Sequence, residues 1–197
     1  MKRLSAILLV TVALAIAIAV LVANLHVPTN TPHSAPTNAS IPTRSASDYP
    51  PLVATISRPA GATLSHIAYV YDGDTLYLQP DGTTARADEI TVRLIGIDTP
   101  ELRPEVQCYA IKARDYVRNM LPKGTAVWIM ADKAKLDKYG RSLLYVWKKD
   151  GTSVNLDLVE KGYATALNIP PSNTYWRQFA SAESVAKNAR VGRWGSC

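Results

Sequence analysis

The chain has 197 residues, with 22 Lys and Arg against 16 Asp and Glu, for a formal net charge of +6. This excess is too small for a histone-like tail, and it permits a polyanionic partner without requiring one. With 3 histidines and 2 cysteines, none of the histidines near the later polar motifs, the chain lacks the ligands of a zinc site. The same scarcity argues against Ser-His-Asp and Cys-His catalysis.

The N-terminus carries an almost uninterrupted apolar stretch, residues 6–23. As a helix it would span about 27 Å, close to the hydrocarbon thickness of a bilayer. Lys2 and Arg3 precede the stretch and no charge follows until Arg44, which predicts a cytoplasmic N-terminus and an exported remainder. We predict an uncleaved signal anchor over residues 1–24, hence a single-pass protein of the cell membrane with its domain outside the cytoplasm. A cleaved signal peptide, giving a secreted protein, is the alternative.

Residues 25–63 are rich in Pro, Ser, Thr and Asn and poor in large apolar side chains. Such a stretch cannot bury enough apolar surface to offset the entropy of folding, so it is expected to be a disordered linker. Residues 64–197 have the size of one domain with its own core.

The two cysteines are Cys108 and Cys197. An exported domain lies where disulfides persist, so an even number of cysteines favours a bridge between them. Two free thiols are the alternative.

Short runs of β-branched and aromatic residues predict five strands, at 65–71, 74–79, 89–97, 125–130 and 142–148. Helical periodicity predicts helices at 106–121, 153–162 and 174–190, with Ser153 and Thr174 as N-caps. Five short strands interrupted by one helix favour a mainly β, α+β fold built on a small, partly open OB-type barrel. A flat antiparallel sheet is the alternative.

Three polar motifs carry the candidate chemistry: DGDT at 72–75, VRLIGIDTPE at 92–101 and DKYGR at 137–141. Asp74 and Asp98 bring carboxylates from separate strands, and oxygen ligands of this kind suit Ca²⁺ or Mg²⁺. Glu101 lies three residues beyond Asp98, close enough to share the site without being a direct ligand. Arg93 and Arg141 offer planar guanidinium groups suited to a phosphate. A cation, a general base and two arginines are the groups that phosphodiester hydrolysis requires.

The three motifs in this order, followed by LVEKGYA and a closing GRW, resemble the staphylococcal nuclease (thermonuclease) family over about residues 66–195. The resemblance implies an OB-type barrel with three helices and a Ca²⁺-dependent nuclease that acts on DNA and RNA, leaving 3′-phosphate ends. Mg²⁺ is the alternative cation. A single-stranded substrate is expected to be preferred, no protein partner is indicated, and a monomer is expected.

Carried over residue by residue, the resemblance makes Asp74, Asp98 and the backbone carbonyl of Thr99 the calcium ligands. Glu101 would be the general base, and Arg93 and Arg141 would bind the phosphate and stabilise its transition state. A further set would support the site: Lys138 and Tyr139 at a terminal phosphate, and Asp72 near the metal but not on it.

The sequence departs from the family where two base-stacking tyrosines are expected. That region reads ATALNIPPSNT at 164–174, and its flanking Tyr163 and Tyr175 do not match those positions. Because OB barrels often bind single strands without cutting them, a non-catalytic OB-type module that binds single strands is the alternative function. A surface domain that uses Ca²⁺ only for stability is a third reading, which leaves Arg93 and Arg141 without a role.

Overall fold

The structure is a computed structural model of the chain and describes residues 55–197. Within these residues the strands are, in chain order, β1 (Thr63–Val70), β2 (Thr75–Pro80), β3 (Ile90–Leu94), β4 (Ile97–Asp98), β5 (Ala126–Leu136), β6 (Ser142–Lys148) and β7 (Thr165–Ala166). Strands β1, β2, β3, β6 and β5 close a barrel in that order, while β4 and β7 form a separate two-stranded sheet. The five-stranded barrel confirms the OB-type prediction. The barrel is closed, so the partly open form and the flat sheet were both wrong.

The expected helices are present: α1 (Ala110–Met120), α2 (Val154–Glu160) and α3 (Trp176–Asn188). A 3-10 turn (Arg86–Asp88) and a four-residue helical turn, α4 (Arg193–Ser196), were not predicted. Helix α1 buries Ala110, Ala113 and Val117, and Val117 packs into the hydrophobic core. It begins four residues later than expected, so Cys108 lies in the loop before it.

The strand predicted over 89–97 is divided in two. Gly96 has φ +79° and forms the turn that separates β3 from β4. A Cβ at this position would overlap the ring of Phe179, so both the backbone conformation and the packing require glycine. The turn redirects the chain so that Asp98 pairs with Thr165 of β7 instead of continuing the barrel.

Strand β5 extends six residues beyond the predicted end at 130. Its second half, ADKAKL, is polar and only partly buried, and so lacks the apolar alternation that predicts a strand. Pairing of Ala131 with Leu144 and of Leu136 with Ser142 of β6 holds it in the barrel.

Of the two predicted N-caps, Ser153 is confirmed, because its side chain accepts a hydrogen bond from the Leu156 N–H at 3.4 Å. Thr174 was wrong as a cap, since α3 has Tyr175 at its N-cap without a side-chain hydrogen bond. The Thr174 N–H and hydroxyl instead donate to the carboxylate of Asp132, each at 2.9 Å. This contact ties the start of α3 to β5.

The barrel interior is filled by alternating side chains of β2 and β3. Leu76, Leu78, Val92 and Leu94 are each 0% exposed. Burying a side chain of this size stabilises the fold by roughly 1.5–3 kcal/mol. Arg93 lies between two of these residues and therefore points to the opposite face of β3.

The expected linker, 25–63, overlaps the folded domain at its end. Ile56 is 4% exposed, and its carbonyl accepts a hydrogen bond from Trp147 Nε1 at 3.0 Å. Thr63 already belongs to β1. These contacts of Ile56 and Thr63 precede the predicted boundary at 64, because a single buried isoleucine does not stand out in a polar segment. The rest of the linker and the predicted anchor lie outside the described residues.

Residues 55–197 contain no helix long and apolar enough to cross a membrane. They do contain the predicted disulfide: Cys108 is bonded to Cys197 across 89 residues of sequence, with Cα atoms 6.1 Å apart. The bridge ties the loop before α1 to the C-terminal end of the chain.

Candidate active site

The DGDT segment forms the tight loop between β1 and β2, and Asp72 shapes it. Asp72 Oδ1 accepts hydrogen bonds from the N–H groups of Asp74 at 3.0 Å and Thr75 at 2.7 Å. This local pattern is the one by which an Asp side chain stabilises a turn. Burial and the nearby Asp74 charge raise the pKa of Asp72, partly opposed by these hydrogen bonds. Asp72 therefore holds the backbone of its own loop, and its supporting role at a metal site stays a prediction.

The DGDT loop packs directly on the DTPE segment at Thr99. A Cβ added to Gly73 would lie 2.8 Å from the Thr99 side chain, so only glycine allows this approach. Asp74 Oδ2 accepts hydrogen bonds from both the Thr99 N–H and the Thr99 hydroxyl, each at 2.8 Å. Asp74 is 4% exposed. One carboxylate oxygen therefore joins two loops that are 25 residues apart in the sequence.

Arg93 brings the two predicted carboxylate ligands together. Its Nη2 lies 2.7 Å from Asp98 Oδ1 and 3.3 Å from Asp74 Oδ2. Its Nη1 donates to the carbonyls of Leu94 and Ile97 at 2.8 and 2.9 Å. An Arg only 8% exposed needs such partners, because an unpaired buried charge is costly. The guanidinium is thereby held in one orientation.

Asp98 lies at the edge of the barrel on β4. Its backbone carbonyl accepts a hydrogen bond from the Thr165 hydroxyl at 3.1 Å, which anchors the segment to β7. Burial raises the pKa of the Asp98 carboxyl, and the Asp74 charge adds to this rise. The charges of Arg93 and Arg193 lower the pKa but do not outweigh burial, so the net shift is upward. The side chain of Asp98 is 47% exposed, so it can reach a ligand from solvent.

Glu101, the last residue of DTPE, is exposed on the loop after β4. The Glu101 N–H donates to Gln107 Oε1, and the Glu101 carbonyl accepts from the Gln107 N–H, both at 2.9 Å. These bonds fix the backbone of Glu101 and leave its side chain exposed. Burial and then the charges of Asp74, Asp72 and Asp98 raise the pKa of Glu101, while Arg93 lowers it. Asp72, Asp74 and Asp98 are therefore close enough for their charges to act on Glu101.

Arg141 stands at the start of β6, where the parallel ladder pairs Ser142 with Val92 and Leu143 with Arg93. Asp137 fixes Arg141 in two ways: Oδ1 accepts from the Arg141 N–H at 2.9 Å, and Oδ2 accepts from Nε at 2.7 Å. Desolvation raises the pKa of Asp137, but these hydrogen bonds outweigh it and leave the pKa below its usual value.

Lys138 and Tyr139 lie on the turn before Arg141. Tyr139 is 72% exposed, and its ring centroid lies 4.9 Å from Lys138 Nζ and 5.6 Å from Arg141 Cζ. The three side chains form a second group beside the Arg93 centre. No hydrogen bond or ion pair among residues 55–197 joins the two groups.

Sequence reasoning missed three residues that position the site. Asp137 holds Arg141. The sequence could have indicated this contact, because DKYGR places an acid four residues before an arginine. Gln107 fixes the Glu101 backbone, for which the sequence carries no signal. Asn155 of α2 is 0% exposed, and its Nδ2 donates to the Ile95 carbonyl at 2.9 Å while Oδ1 accepts from the Val146 N–H at 3.0 Å. In the sequence, Asn155 is marked only as a single polar residue among the apolar residues of a short helix.

The donor set fits a hard cation. In residues 55–197 no three Asp, Glu, His or Cys side chains form a group that could hold a metal alone. The expected set needs only two carboxylates, since its third ligand is a backbone carbonyl. Asp74 and Asp98 converge on Arg93, and all their donors are oxygens, which Ca²⁺ prefers over nitrogen or sulfur. The mutual repulsion of the acids also favours a bound positive charge.

The family described as staphylococcal nuclease homologue matches residues 91–196, which leaves Asp72 and Asp74 before the matched region. The thermonuclease of Staphylococcus intermedius is 36% identical over 128 residues, covering 64% of this chain and 72% of that protein. The thermonuclease of Staphylococcus hyicus is 32% identical over 130 residues, covering 64% and 73%.

Endonuclease YhcR of Bacillus subtilis (strain 168) is 33% identical over 137 residues, which are 64% of this chain but 11% of that much longer protein. The matched region of the family is more than half of the present chain and contains Arg93, Asp98, Thr99, Glu101 and Arg141. From this match and the similarity to the two thermonucleases, the chain belongs to the staphylococcal nuclease homologue family.

Proposed function

We propose that the domain is a metal-dependent nuclease that hydrolyses phosphodiester bonds in DNA and RNA. Asp74, Asp98 and the Thr99 carbonyl would hold Ca²⁺, with Mg²⁺ as the alternative. Glu101 would act as the general base, and Arg93 with Arg141 would bind the phosphate. Membership of the family and the names of the relatives support nuclease activity.

The observation that carries the proposal is the convergence on Arg93. Asp98 of β4 and Asp74 of the loop before β2 contact the same guanidinium nitrogen, at 2.7 and 3.3 Å. A purely structural ion pair would need only one carboxylate, and the second adds repulsion unless it has another positive partner. A cation beside the two acids supplies that partner, and the nearby Glu101 and the arginines complete the groups needed for hydrolysis.

The chemistry assigns one task to each group. Bound calcium would supply positive charge that neutralises the phosphoryl oxygens. Glu101 would take a proton from a water, whose oxygen forms a new bond to phosphorus while the bond from phosphorus to the 5′ oxygen breaks. The leaving oxygen takes up a proton, and the phosphate stays on the 3′ side. Arg93 and Arg141 would donate hydrogen bonds to the charge that develops on the phosphate.

Cleavage of denatured DNA tests the proposal, using the wild type and Glu101→Gln, each with Ca²⁺ and with chelator. Removal of a general base lowers a rate by about a hundredfold or more. We therefore expect rapid cleavage only for the wild type with Ca²⁺, with 3′-phosphate product ends. Equal rates in all four conditions would reject the mechanism, and binding without cleavage in all four would favour the non-catalytic single-strand binding module.

We also propose that the domain works as a monomer outside the cytoplasm, held by the anchor predicted over residues 1–24. The disulfide between Cys108 and Cys197 supports an oxidising compartment, because such bonds are rare in the cytosol. Protease added to intact cells should digest the domain while leaving a cytoplasmic marker whole. Protection of the domain would contradict export, and release into the medium would indicate a cleaved N-terminal segment.

A further inference from the structure

An exposed tyrosine surface adjoins the candidate active site. Its rings are Tyr69 and Tyr71, which are 50% and 44% exposed at the end of β1, and the partly buried Tyr77 on β2. They share a cavity of about 630 Å³ with Arg86 and Lys123. We call this group, together with Arg118 of α1, the Tyr69–Tyr71 surface.

A β-bulge turns these rings outward. Ile67 pairs with Leu78 and Tyr69 pairs with Tyr77, so Ala68 is an extra residue in β1. If inward and outward residues alternated strictly from the buried Ile67, Tyr69 would point into the barrel. The bulge shifts this alternation by one residue, so Val70 is buried and Tyr69 and Tyr71 are exposed. Bulges of this kind redirect side chains beside functional sites.

The rings are held in place by cationic and aromatic contacts. The Arg118 guanidinium lies 5.5 Å from the Tyr69 ring centroid, its Nη2 donates to the Tyr69 hydroxyl at 3.0 Å, and its Nε donates to the Val70 carbonyl at 3.2 Å. The Tyr69 and Tyr77 centroids are 6.1 Å apart. Ring positions that are fixed before binding reduce the entropy cost of stacking a ligand against them.

The surface is basic and continuous with the acids. A second cavity of about 310 Å³ is lined by Tyr69, Tyr71, Leu102, Arg103 and Arg118, among others. Tyr71 directly precedes Asp72, and Leu102 directly follows Glu101. Of the acids, only Glu89 lines either cavity.

Tyr163 and Tyr175, which flank the segment 164–174, pack against other rings of the domain. Tyr163 stacks on Tyr116 with centroids 4.2 Å apart, and Tyr175 packs edge-on against Tyr145 at 4.7 Å. Bases of a bound strand therefore cannot use Tyr163 or Tyr175 without disturbing the fold.

We infer that the Tyr69–Tyr71 surface binds single-stranded nucleic acid that flanks the scissile phosphate, with bases stacked on Tyr69 and Tyr71 and phosphates paired with Arg86, Lys123 and Arg118. Exposed rings interleaved with cations are the features by which proteins hold single strands without reading their sequence. Exposed apolar rings beside cations also match the amphipathic character of an unpaired strand, whose bases are flat and apolar and whose backbone is anionic. The inference rests on the proposed nuclease function, since it makes this surface part of the substrate site.

The test measures binding of a fluorescent 12-nucleotide thymidine strand, and of an abasic strand of equal length, to proteins that also carry Glu101→Gln. Stacking is worth about 1–3 kcal/mol per base, so loss of both rings in Tyr69→Ala with Tyr71→Ala should weaken binding of the thymidine strand by about thirtyfold or more. Binding of the abasic strand should not change, because it offers no base to stack. The matched variant Tyr69→Phe with Tyr71→Phe should keep the wild-type affinity, since it retains both rings.

Three results would overturn the inference: equal affinity of the Ala and wild-type proteins for the thymidine strand, an equal loss on the abasic strand, or an equal loss in the Phe variant.

A second experiment does not depend on the tyrosines. Arg86→Gln with Lys123→Gln should reduce the slope of log affinity against log salt by about 1.4, at roughly 0.7 for each phosphate contact on a single strand. Lys149→Gln, on the exposed turn after β6, is the charge-matched control and should leave the slope unchanged. An unchanged slope in the double variant would also contradict the inference.

The two proposals can fail separately. Cleavage of the thymidine strand by the protein without the Glu101 change reports nuclease activity, and its absence would count against the proposed function while the binding measurements still test the surface. Vesicles of anionic phosphatidylglycerol provide the last arm. Binding to vesicles that is lost in the Ala variants, with strand affinity unchanged, would replace the inference with a membrane-contact role.

Discussion

Thr99 donates two hydrogen bonds, from its backbone N–H and from its hydroxyl, to a single oxygen of Asp74, each at 2.8 Å. The two residues belong to different loops, and both are nearly inaccessible to solvent. Hydrogen bonds to a charged acceptor stabilise a fold by about 1.5–3 kcal/mol each. This contact therefore fixes the DGDT loop against the segment that carries Asp98 and Glu101.

The close approach at Gly73 predicts that Gly73→Ala is harmful. The new Cβ would lie 2.8 Å from the Thr99 side chain, so one loop must move and the hydrogen bonds to Asp74 must lengthen. We expect a loss of about 1–3 kcal/mol in the free energy of unfolding, measured by urea denaturation, together with weaker Ca²⁺-dependent cleavage. Gly61→Ala is the matched control, because its new Cβ would lie 3.6 Å from Met130 in ordinary contact. Equal effects of the two substitutions would contradict this account.

Asp137→Asn is predicted to slow cleavage without unfolding the domain. The amide oxygen can still accept from the Arg141 N–H, but the amide nitrogen cannot accept from Nε, so only the side-chain anchor is lost. Loss of position at a catalytic group costs about ten- to a hundredfold in rate. Steady-state cleavage of denatured DNA measures the effect. Asp150→Asn, which removes a comparable ion pair with Lys148 on another turn, should not change the rate.

The disulfide predicts a stability that depends on redox state. Reduction, or replacement of both Cys108 and Cys197 by Ser, should lower the free energy of unfolding by about 2–4 kcal/mol, because the unfolded chain regains the freedom of an 89-residue loop. Thermal melts with and without reductant check this. The wild type in reductant and the double variant should melt alike, and a wild-type melt insensitive to reductant would show that the bond does not form.

Asp132 predicts a pH-dependent contribution to stability. Burial raises the pKa of this carboxyl, but hydrogen bonds from the Thr174 N–H and hydroxyl, the Tyr145 hydroxyl and the Lys133 N–H outweigh burial and lower the pKa below 3.8. Because the pKa is lower in the folded state, the stabilisation is fully present above pH 3.8 and is lost as the pH falls through the folded value. Asp132→Asn should therefore destabilise by about 1 kcal/mol at pH 7, a modest value since the group is partly exposed.

The difference in unfolding free energy between wild type and Asp132→Asn should stay constant from pH 7 to about pH 5 and shrink at lower pH. Urea denaturation at several pH values measures it. A difference that grows as the pH falls would mean that the carboxyl is protonated in the folded state.

The barrel and the identity of the acids could be predicted from sequence because both depend on local patterns. Short strands separated by turns indicate the barrel, and DGDT and DTPE mark where strands end. The division of β3 from β4 could not be predicted, because LIGI reads as one apolar run and the requirement for Gly96 comes from Phe179, far along the chain. Thr174 was misassigned for a similar reason, since its partner Asp132 lies 42 residues away.

The meeting of Asp74 and Asp98 at Arg93 could not be predicted from the sequence either. Motifs supplied Arg93, Asp74 and Asp98 as candidates, but the pairing of Thr75 with Arg93 and the turn at Gly96 bring both carboxylates to one guanidinium nitrogen. The roles assigned to these residues, and to Arg141, Lys138 and Tyr139, stay predictions. The Tyr69–Tyr71 surface depends on a bulge at Ala68, which shows in the pairing register and not in the alternation of the sequence.

We propose that Asp74 holds the cation while Asp72 supports the loop. The most direct measurement is the rate of denatured-DNA cleavage as a function of Ca²⁺ concentration for Asp74→Ala and Asp72→Ala. We predict that Asp74→Ala loses Ca²⁺-stimulated cleavage, by about a hundredfold or more, and that Asp72→Ala keeps its Ca²⁺ dependence at a reduced rate. The reverse ranking, or wild-type stimulation by Ca²⁺ in Asp74→Ala, would contradict the account.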